Sequence, residues 1–431
     1  MRVIAVIAEF NPLHCGHAHL LRQIRLNSPP RSKIIVIMPE FFSQRGVPAL
    51  ISPSQRSKVT LAAGADLVLS LPDIYALSSA EGFAAGAVRS ILATGITQEI
   101  ACGAEDPDYD KLKLISDLLS NESYRYKENL KAGIKEGLGF AAAREKAVAA
   151  EAGDAKLAAL LNKPNNILAI EYLKALTTYD NKNIELTLYP RIAASSASDI
   201  REIIRAAVIP ADCNKDKNID LNADGINTQT VTTGFSSELE LVRNLETLMP
   251  SYSLAPILYS YQEQKGPLLL DHFRKDIFFS ISQQNSAQIS QIAHMQQGLG
   301  ERLINLASRK GHLCGSLSDF VKVAATRTHP ASRVRRALIS LLLNLKSADL
   351  EELAAPRFLK ISGFNKDGRY LLRLMREKST LPLINLASDY DGLLSHAAIR
   401  QKDISLTAAA LWYKETGGNI NEYYLQKPVQ L

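Results

Sequence analysis

Glu9-Phe10-Asn11-Pro12-Leu13-His14-Cys15-Gly16-His17 is the stretch whose reading decides the fold. Before it, Arg2-Val3-Ile4-Ala5-Val6-Ile7-Ala8 is a short apolar, β-branched run, the pattern of a buried parallel strand. After it, Ala18 to Arg25 places Leu20, Leu21 and Ile24 on one face of a helix. The nonapeptide is therefore a strand-to-helix turn, and Pro12 and Gly16 suit its irregular backbone. A helix N-terminus presents free N–H groups and a positive dipole end, so it attracts anions. His14 and His17 add ring donors at the same mouth, and Gly16 lets a ligand approach the backbone. These groups suit a nucleoside triphosphate. Attack on the α-phosphate builds charge on its equatorial oxygens, and each fixed donor aimed at that charge is worth about 10²–10³ in rate.

Further strands and helices alternate along the chain. Ile34 to Met38 reads as a second buried strand. Ser52-Pro53-Ser54-Gln55 opens a helix with a serine N-cap, a proline at the first helical position and a capping-box glutamine. Gly64 ends it. Leu67 to Leu71 is a third strand, Ser79 to Leu92 a helix of small residues, and Glu99 to Gly103 a fourth strand. Asp108 to Lys163 is helical and alanine-rich. Lys163-Pro164-Asn165-Asn166 opens another helix ending near Leu176, and Glu185 to Tyr189 is a fifth strand. This alternation predicts a parallel, doubly wound α/β sheet, whose ligands sit beyond the carboxyl ends of the strands. His14, Phe41 to Gly46 and Gly103-Ala104-Glu105 all fall at that edge.

With 431 residues the chain can hold two or three domains. Its composition, 46% hydrophobic and 22% charged, is that of an ordinary globular protein. No apolar run reaches the roughly 18 residues of a membrane span, and the N-terminal run breaks at Glu9 without a signal-peptide pattern. The four cysteines, Cys15, Cys102, Cys213 and Cys314, form no Cys-x-x-Cys pair, which argues against a disulfide framework or structural zinc. No metal-ligand set is read from the sequence, and the expected setting is the cytoplasm. The net charge of +6 is uneven. Residues 301–380 carry 16 Lys and Arg against 7 Asp and Glu, leaving the rest of the chain at −3. That segment is expected to face a polyanion.

His14-Cys15-Gly16-His17 resembles the His-x-Gly-His motif of the nucleotidyltransferase superfamily, and the whole Glu9–His17 string is similar to the tRNA(Met) cytidine acetate ligases. The resemblance implies a Rossmann-like nucleotidyltransferase domain that uses ATP to turn acetate into acetyl-adenylate. The acetyl group would then pass to the exocyclic amine of the wobble cytidine of elongator tRNA(Met). It implies His14 and His17 as catalytic, and ATP contacts along Ile7, Ala8, Glu9, Phe10, Asn11, Pro12, Leu13, Cys15, Gly16, Ala18, His19 and Leu20. Mg²⁺ would be bound through the phosphates. Ala101-Cys102-Gly103 resembles a segment whose glycine lies against the nucleotide; Gly103 also reads simply as a tight turn. One amide of the Asn pair, Asn166, is implied as an ATP contact, although the pair also suits helix capping. Ser195-Ser196-Ala197-Ser198-Asp199-Ile200-Arg201 is similar to the superfamily's second signature. There Ser196 and Ser198 offer hydroxyls and Arg201 can fork onto phosphate oxygens. Arg191 precedes it after a segment shorter than the family pattern. Gln44 and Arg45 are candidates to meet acetate or phosphate.

Residues 211–236 are polar without an apolar period and are expected to be a linker between a catalytic domain, 1–210, and a mainly α-helical region, 237–431. In that region Arg327, Arg333 and Arg336 are candidate tRNA contacts; Arg333 and Arg336 share a helix face. A solvated basic face is the plainer reading of the same run. The late Pro356-Arg357-Phe358 to Gly363–Arg369 segment matches the family equally well as packing or as RNA contact. No covalent acyl-enzyme is needed, so Cys15 and Cys102 are not assigned as nucleophiles. A small-molecule adenylyltransferase fits the His motif and serine cluster as well, but not the basic helical half. A non-catalytic RNA-binding protein with a relic nucleotide fold fits the charge, but not the intact His14, His17, Ser198 and Arg201.

Overall fold

The computed structural model describes residues 1–179, 183–192, 196–208, 233–310 and 315–431. Its centre is an eight-stranded sheet. The elements that position the site are β1 (Val3–Ile7), α1 (Cys15–Asn27), β2 (Lys33–Pro39), α2 (Pro53–Ala62), β3 (Leu67–Leu71), α3 (Ala80–Ala93), β4 (Glu99–Ala104), α4 (Pro164–Thr178), β5 (Glu185–Pro190), α5 (Ala197–Val208), α6 (Ala331–Leu342), β6 (Leu359–Phe364), α7 (Lys366–Lys378), β7 (Leu383–Ile384), α8 (His396–Glu415) and β8 (Val429–Gln430). The strands run in the order β5-β4-β1-β2-β3-β6-β7, with β8 pairing β6. The first five are mutually parallel, with Ile4 opposite Ile34 and Ile35 opposite Leu67. Strand β6 runs antiparallel to β3.

Strands β1 and β3 are buried along their whole length, which explains their unbroken Val/Ile/Leu composition: both faces meet helices. One face packs Ala5, Ile35, Leu69 and Ile100 against the larger helical core. The other sets Ile4, Val6, Ile34 and Val36 against Leu21 and Ile24 of α1. Each such side chain contributes roughly 1.5–3 kcal/mol of transfer free energy. Ser52 caps α2 as its sequence requires, and the reciprocal bond from the Ser52 N–H to Gln55 Oε1 is present.

The expected alternation up to β5 is the observed one, within a residue or two at each end. Most of the expected linker, residues 211–232, lies outside the described residues, and a helix, Thr233–Leu245, already begins inside its last part. The region after it is mainly helical, and it also adds β6, β7 and β8 to the sheet.

This region grips the sheet at both edges. At the amino edge, Asp66 before β3 accepts the Ile34 N–H at 2.8 Å, while Asn365 donates from its N–H to the Asp66 carbonyl at 3.0 Å. Gly368 of α7 sits where any Cβ would lie 2.0 Å from that carbonyl. At the carboxyl edge, Lys360 of β6 pairs with Glu40 after β2, and both are largely buried. The indole N–H of Trp412, in α8, donates to the Ala49 carbonyl at 2.9 Å inside the core. Trp412→Phe keeps most of the ring and removes that donor, leaving a buried carbonyl unpaired. The expected cost is about 1–3 kcal/mol in urea unfolding; an unchanged midpoint and slope would show that water takes the donor's place.

Candidate active site

A cavity opens beyond the carboxyl ends of β1, β4 and β5. It is lined by Ile7, Ala8, Glu9, His14, Gly16, His17, His19, Leu20, Gln44, Phe83, Cys102, Gly103, Asn165, Leu168, Tyr172, Pro190, Arg191 and Ile192. A smaller cleft adjoins it, lined by Glu9, Phe10, Asn11, His17, Ser43, Arg45, Val47, Ala197, Ser198 and Arg201. Glu9 and His17 border both.

The two histidines are held by the start of α1. His14 is its N-cap, and Nδ1 of His14 accepts the Gly16 N–H at 3.1 Å. The reciprocal bond runs from the His14 N–H to Nδ1 of His17 at 3.4 Å. This is a capping box built from imidazoles instead of Ser and Glu. The rings stack with centroids 3.7 Å apart and planes 29° apart. Because Nδ1 of His14 is an acceptor, its proton sits on Nε2, and the neutral ring is a donor there. Burial pushes the His14 imidazole down to about 4, with the Arg191 charge adding to the effect. Burial also holds His17 well below the ordinary 6.5, helped by His14 and Arg191. At neutral pH both rings are uncharged hydrogen-bonding groups at a helix N-terminus.

At the β4–β5 end, Glu105 organises the wall. Its carboxylate accepts the Asn165 and Asn166 N–H groups, the Asn165 amide at 2.6 Å and Arg191 Nη1 at 3.1 Å. Gly103 leaves the backbone open beside Arg191, whose Cγ would lie 3.4 Å from an added Cβ. Asn166 is fully buried, and its Oδ1 accepts the Glu105 and Asp106 N–H groups. Its amide is spent holding the loop after β4, and its neighbour Asn165 lines the cavity.

At the other end, the Glu9 carboxylate accepts the Gln44 N–H, and Arg45 Nη1 donates to Ser198 Oγ at 2.6 Å. Burial raises the pKa of Glu9, against the opposing charges of Arg45, Arg56 and Arg201. Arg201 donates to the Pro48 carbonyl at 3.2 Å, and burial lowers it to about 10, so it remains a cation. The cleft thus joins two arginines and a serine hydroxyl next to His17. Ser196 instead bonds Asp199 through both its N–H and Oγ, at 2.9 Å each, and caps the start of α5. Ser195 lies outside the described residues.

Other residues expected at the nucleotide also shape the turn, among them Asn11, which borders the smaller cleft. Asn11 donates its amide to Pro48 O at 2.8 Å and accepts the Leu50 N–H at 2.9 Å. Leu13 is buried, with its carbonyl taken by Ser253 Oγ, and the Cys15 N–H goes to Leu248 O. Pro12, Leu13, Cys15 and Ala18 fall outside the lining of both cavities. Tyr172, Phe83 and Leu168 line the cavity without having been anticipated; they sit on apolar helix faces that read as core. Cys102 also lines it, but burial pushes its thiol up to about 12, so it is protonated and a poor nucleophile. Cys213 and Cys314 lie outside the described residues.

Two of the arginines expected at RNA are engaged by protein groups. Arg336 is only 8% exposed, and its guanidinium donates to the Gln44 carbonyl at 3.0 Å. Arg333 donates to the His294 and Gln296 carbonyls and to Gln297 Oε1. Arg327 remains exposed. The exposed cations of the basic segment include Lys366, Arg369, Arg373 and Arg376 along α7. That helix crosses the amino edge of the sheet, from Asp66 to Gly95, away from the cavity.

The chain is similar to known proteins along nearly its whole length. The model of the HIGH nucleotidyl transferase family matches residues 1–419. The tRNA(Met) cytidine acetate ligase of Thermoanaerobacter sp. (strain X514) is 31% identical over 408 residues, 94% of each chain. That of Acetivibrio thermocellus is 31% identical over 427 residues, covering 96% of this chain and 94% of its own. The crystal structure of Thermotoga maritima TmcAL bound with alpha-thio ATP aligns over 100% of both chains, with a TM-score of 0.84 and 25% identity.

The lowered imidazole pKa values carry a pH dependence. The unfolded chain protonates its histidines near 6.5, whereas the folded state resists until His14 titrates near 4. The stability these groups contribute is complete above 6.5 and is lost as pH falls towards 4, on the order of 1 kcal/mol per pH unit for each ring. Ring-carbon NMR titration should find His14 neutral at pH 5.5; a midpoint near 6.5 would contradict the burial and the cap.

Proposed function

The chain belongs to the HIGH nucleotidyl transferase family, and we propose that within it the protein is an ATP-dependent tRNA(Met) cytidine acetate ligase. It forms acetyl-adenylate and acetylates the exocyclic amine of the wobble cytidine of elongator tRNA(Met), giving N4-acetylcytidine. The observation that carries this reading is the pair of neutral imidazoles capping α1, which share one cavity with Gly103 and Arg191 and border the Arg45–Ser198–Arg201 cleft.

In this reading the nucleoside lies at the Gly103, Asn165 and Arg191 end of the cavity. The triphosphate crosses the N-terminus of α1, with the α-phosphate at His14 and His17. The β- and γ-phosphates enter the cleft of Arg45, Ser198 and Arg201, where charge-assisted bonds hold them. An acetate oxygen attacks the α-phosphorus in line, the bond to the bridging oxygen breaks, and pyrophosphate leaves. Neutral histidine N–H donors stabilise the equatorial oxygens without moving a proton. The cytidine amine then attacks the acetyl carbonyl, the bond to the adenylate oxygen breaks, and AMP leaves as the amine sheds its proton. Gln44, at the opposite side from Arg191, is the group proposed to meet acetate. Mg²⁺ is proposed to arrive on the phosphates. Among the described residues no group of three or more His, Cys, Asp or Glu is placed to hold a metal, and none of these steps is routed through one.

Residues 1–210 are proposed to carry activation and 237–431 to carry tRNA binding, with Arg327 among the phosphate contacts. Among the described residues no helix is long and apolar enough to cross a membrane, and we place the enzyme with its tRNA substrate in the cytoplasm.

His17→Ala should lower acetate-dependent ATP–pyrophosphate exchange by about 10²–10³ while tRNA binding persists; wild-type exchange in that variant would remove His17 from the chemistry. Arg327→Ala should weaken tRNA binding and reduce the slope of log K against log salt by about one unit. Filter binding at several salt concentrations measures this, and an unchanged slope would take Arg327 off the RNA.

A further inference from the structure

The Arg333-Val334-Arg335-Arg336 run of α6 points inward, to the turn that closes the active-site cleft. Nε of Arg335 donates to the Arg45 carbonyl at 2.8 Å, and Nη1 of Arg336 donates to the Gln44 carbonyl at 3.0 Å. Between them Gly46 lies flat on the helix: a Cβ there would be 2.5 Å from the Arg336 nitrogen and 2.7 Å from Cβ of Arg335. Its φ of +69° is a left-handed conformation natural to glycine. The α6 helix is itself fixed, because Arg333 is bonded to the 294–297 segment at three points.

Everything the turn holds on its other side belongs to the site. The Gln44 N–H is bonded to Glu9, the Gln44 side chain lines the cavity, and Arg45 reaches Ser198. Two backbone carbonyls are gripped from behind, while the side chains of the same two residues face the substrate spaces. We propose that α6 is a positioning element of the acetate-activation step, with Arg335 and Arg336 fixing the Gln44–Gly46 turn so that Gln44 and Arg45 are held at acetate and phosphates. This rests on the function proposed above. It assigns to the activation half-reaction a helix whose arginines read, from sequence, as an RNA face. Displacing catalytic groups by about 1 Å can cost about 10² in rate even when the change is remote from the chemistry.

Arg335 also borders a second cleft with Arg45, Ser198, Arg201 and Arg205, so direct action of its charge on the anion is the rival reading. One substitution separates the two roles. The bond to Arg45 is made by Nε, and the amide nitrogen of glutamine occupies the same place along the side chain. Arg335→Gln keeps the donor and removes the charge; Arg335→Ala removes both. The tests are acetate-dependent ATP–pyrophosphate exchange without tRNA, and amide hydrogen exchange of the 40–49 segment in the full chain.

The expected result for Arg335→Ala is a ten- to hundredfold lower kcat, a several-fold higher Kd for ATP because Arg45 is loosened, and at least tenfold faster amide exchange in 40–49. Arg335→Gln should stay within about threefold of wild type in both. Gly46→Ala, which wedges the turn off α6 at the same interface, should reproduce the Arg335→Ala phenotype with the charge of α6 intact. Unchanged amide exchange in Arg335→Ala would overturn the proposal whatever the enzyme catalyses, as would an Arg335→Gln variant as slow as Arg335→Ala. A wild-type chain without acetate-dependent exchange would count against the proposed function alone, because the amide exchange still judges the clamp.

Discussion

The structure depends on how the first helix begins. A helix N-terminus leaves backbone N–H groups without partners, and most proteins meet them with Ser, Thr, Asp or Asn. Here the acceptors are imidazole nitrogens: His14 caps, and His17 completes the reciprocal bond. The constraint has a chemical result. A ring nitrogen that accepts a backbone N–H cannot carry a proton, so His14 is neutral and its other nitrogen is fixed as a donor. Burial and the nearby Arg191 act in the same direction. One set of bonds thus starts the helix, sets the tautomer of His14, and leaves two stacked rings where a phosphate would meet the dipole.

Around that start, the site is assembled from distant parts of the chain. The far end comes from the loops after β4 and β5, joined through Glu105 to Arg191 and the start of α4. The near end comes from the turn after β2 and from α5. The near end is closed by the last third of the chain. Lys360 reaches Glu40, Trp412 reaches the Ala49 carbonyl, and Arg335 and Arg336 reach the Gln44–Gly46 turn. The region that looks like a separate helical unit in sequence is therefore also a brace for the turn after β2.

Much of this was legible in the sequence because it depends on local rules. The β-branched runs of β1 to β3 had to be buried on both faces, and Ser52-Pro53-Ser54-Gln55 had to start a helix. The position of His14 between strand and helix pointed to an anion site. What was not legible depends on side-chain direction. Asn165 and Asn166 are adjacent and chemically identical, yet the rotation of about 100° between consecutive residues of α4 sends the second into the wall and leaves the first at the cavity. Ser196 spends its hydroxyl on Asp199, while Ser198 two residues later meets Arg45. Arg333 and Arg336 share a helix face, as their spacing requires, but that face meets protein carbonyls instead of solvent. A count of charges cannot distinguish those outcomes. Tyr172 and Phe83 were invisible for a related reason, since a cavity wall and a core use the same residues.

In the proposed reaction, acetate itself attacks the α-phosphorus of ATP, and the resulting mixed anhydride delivers the acetyl group to cytidine. Acetate labelled in both oxygens with ¹⁸O, supplied with ATP and elongator tRNA(Met), tests it in one mass spectrum. The account requires one labelled oxygen to appear in the phosphate of AMP for each acetyl group transferred, with unlabelled pyrophosphate. Label in inorganic phosphate with formation of ADP, or acetylcytidine with unlabelled AMP, would mean that the α-phosphate is not the atom this site was built around.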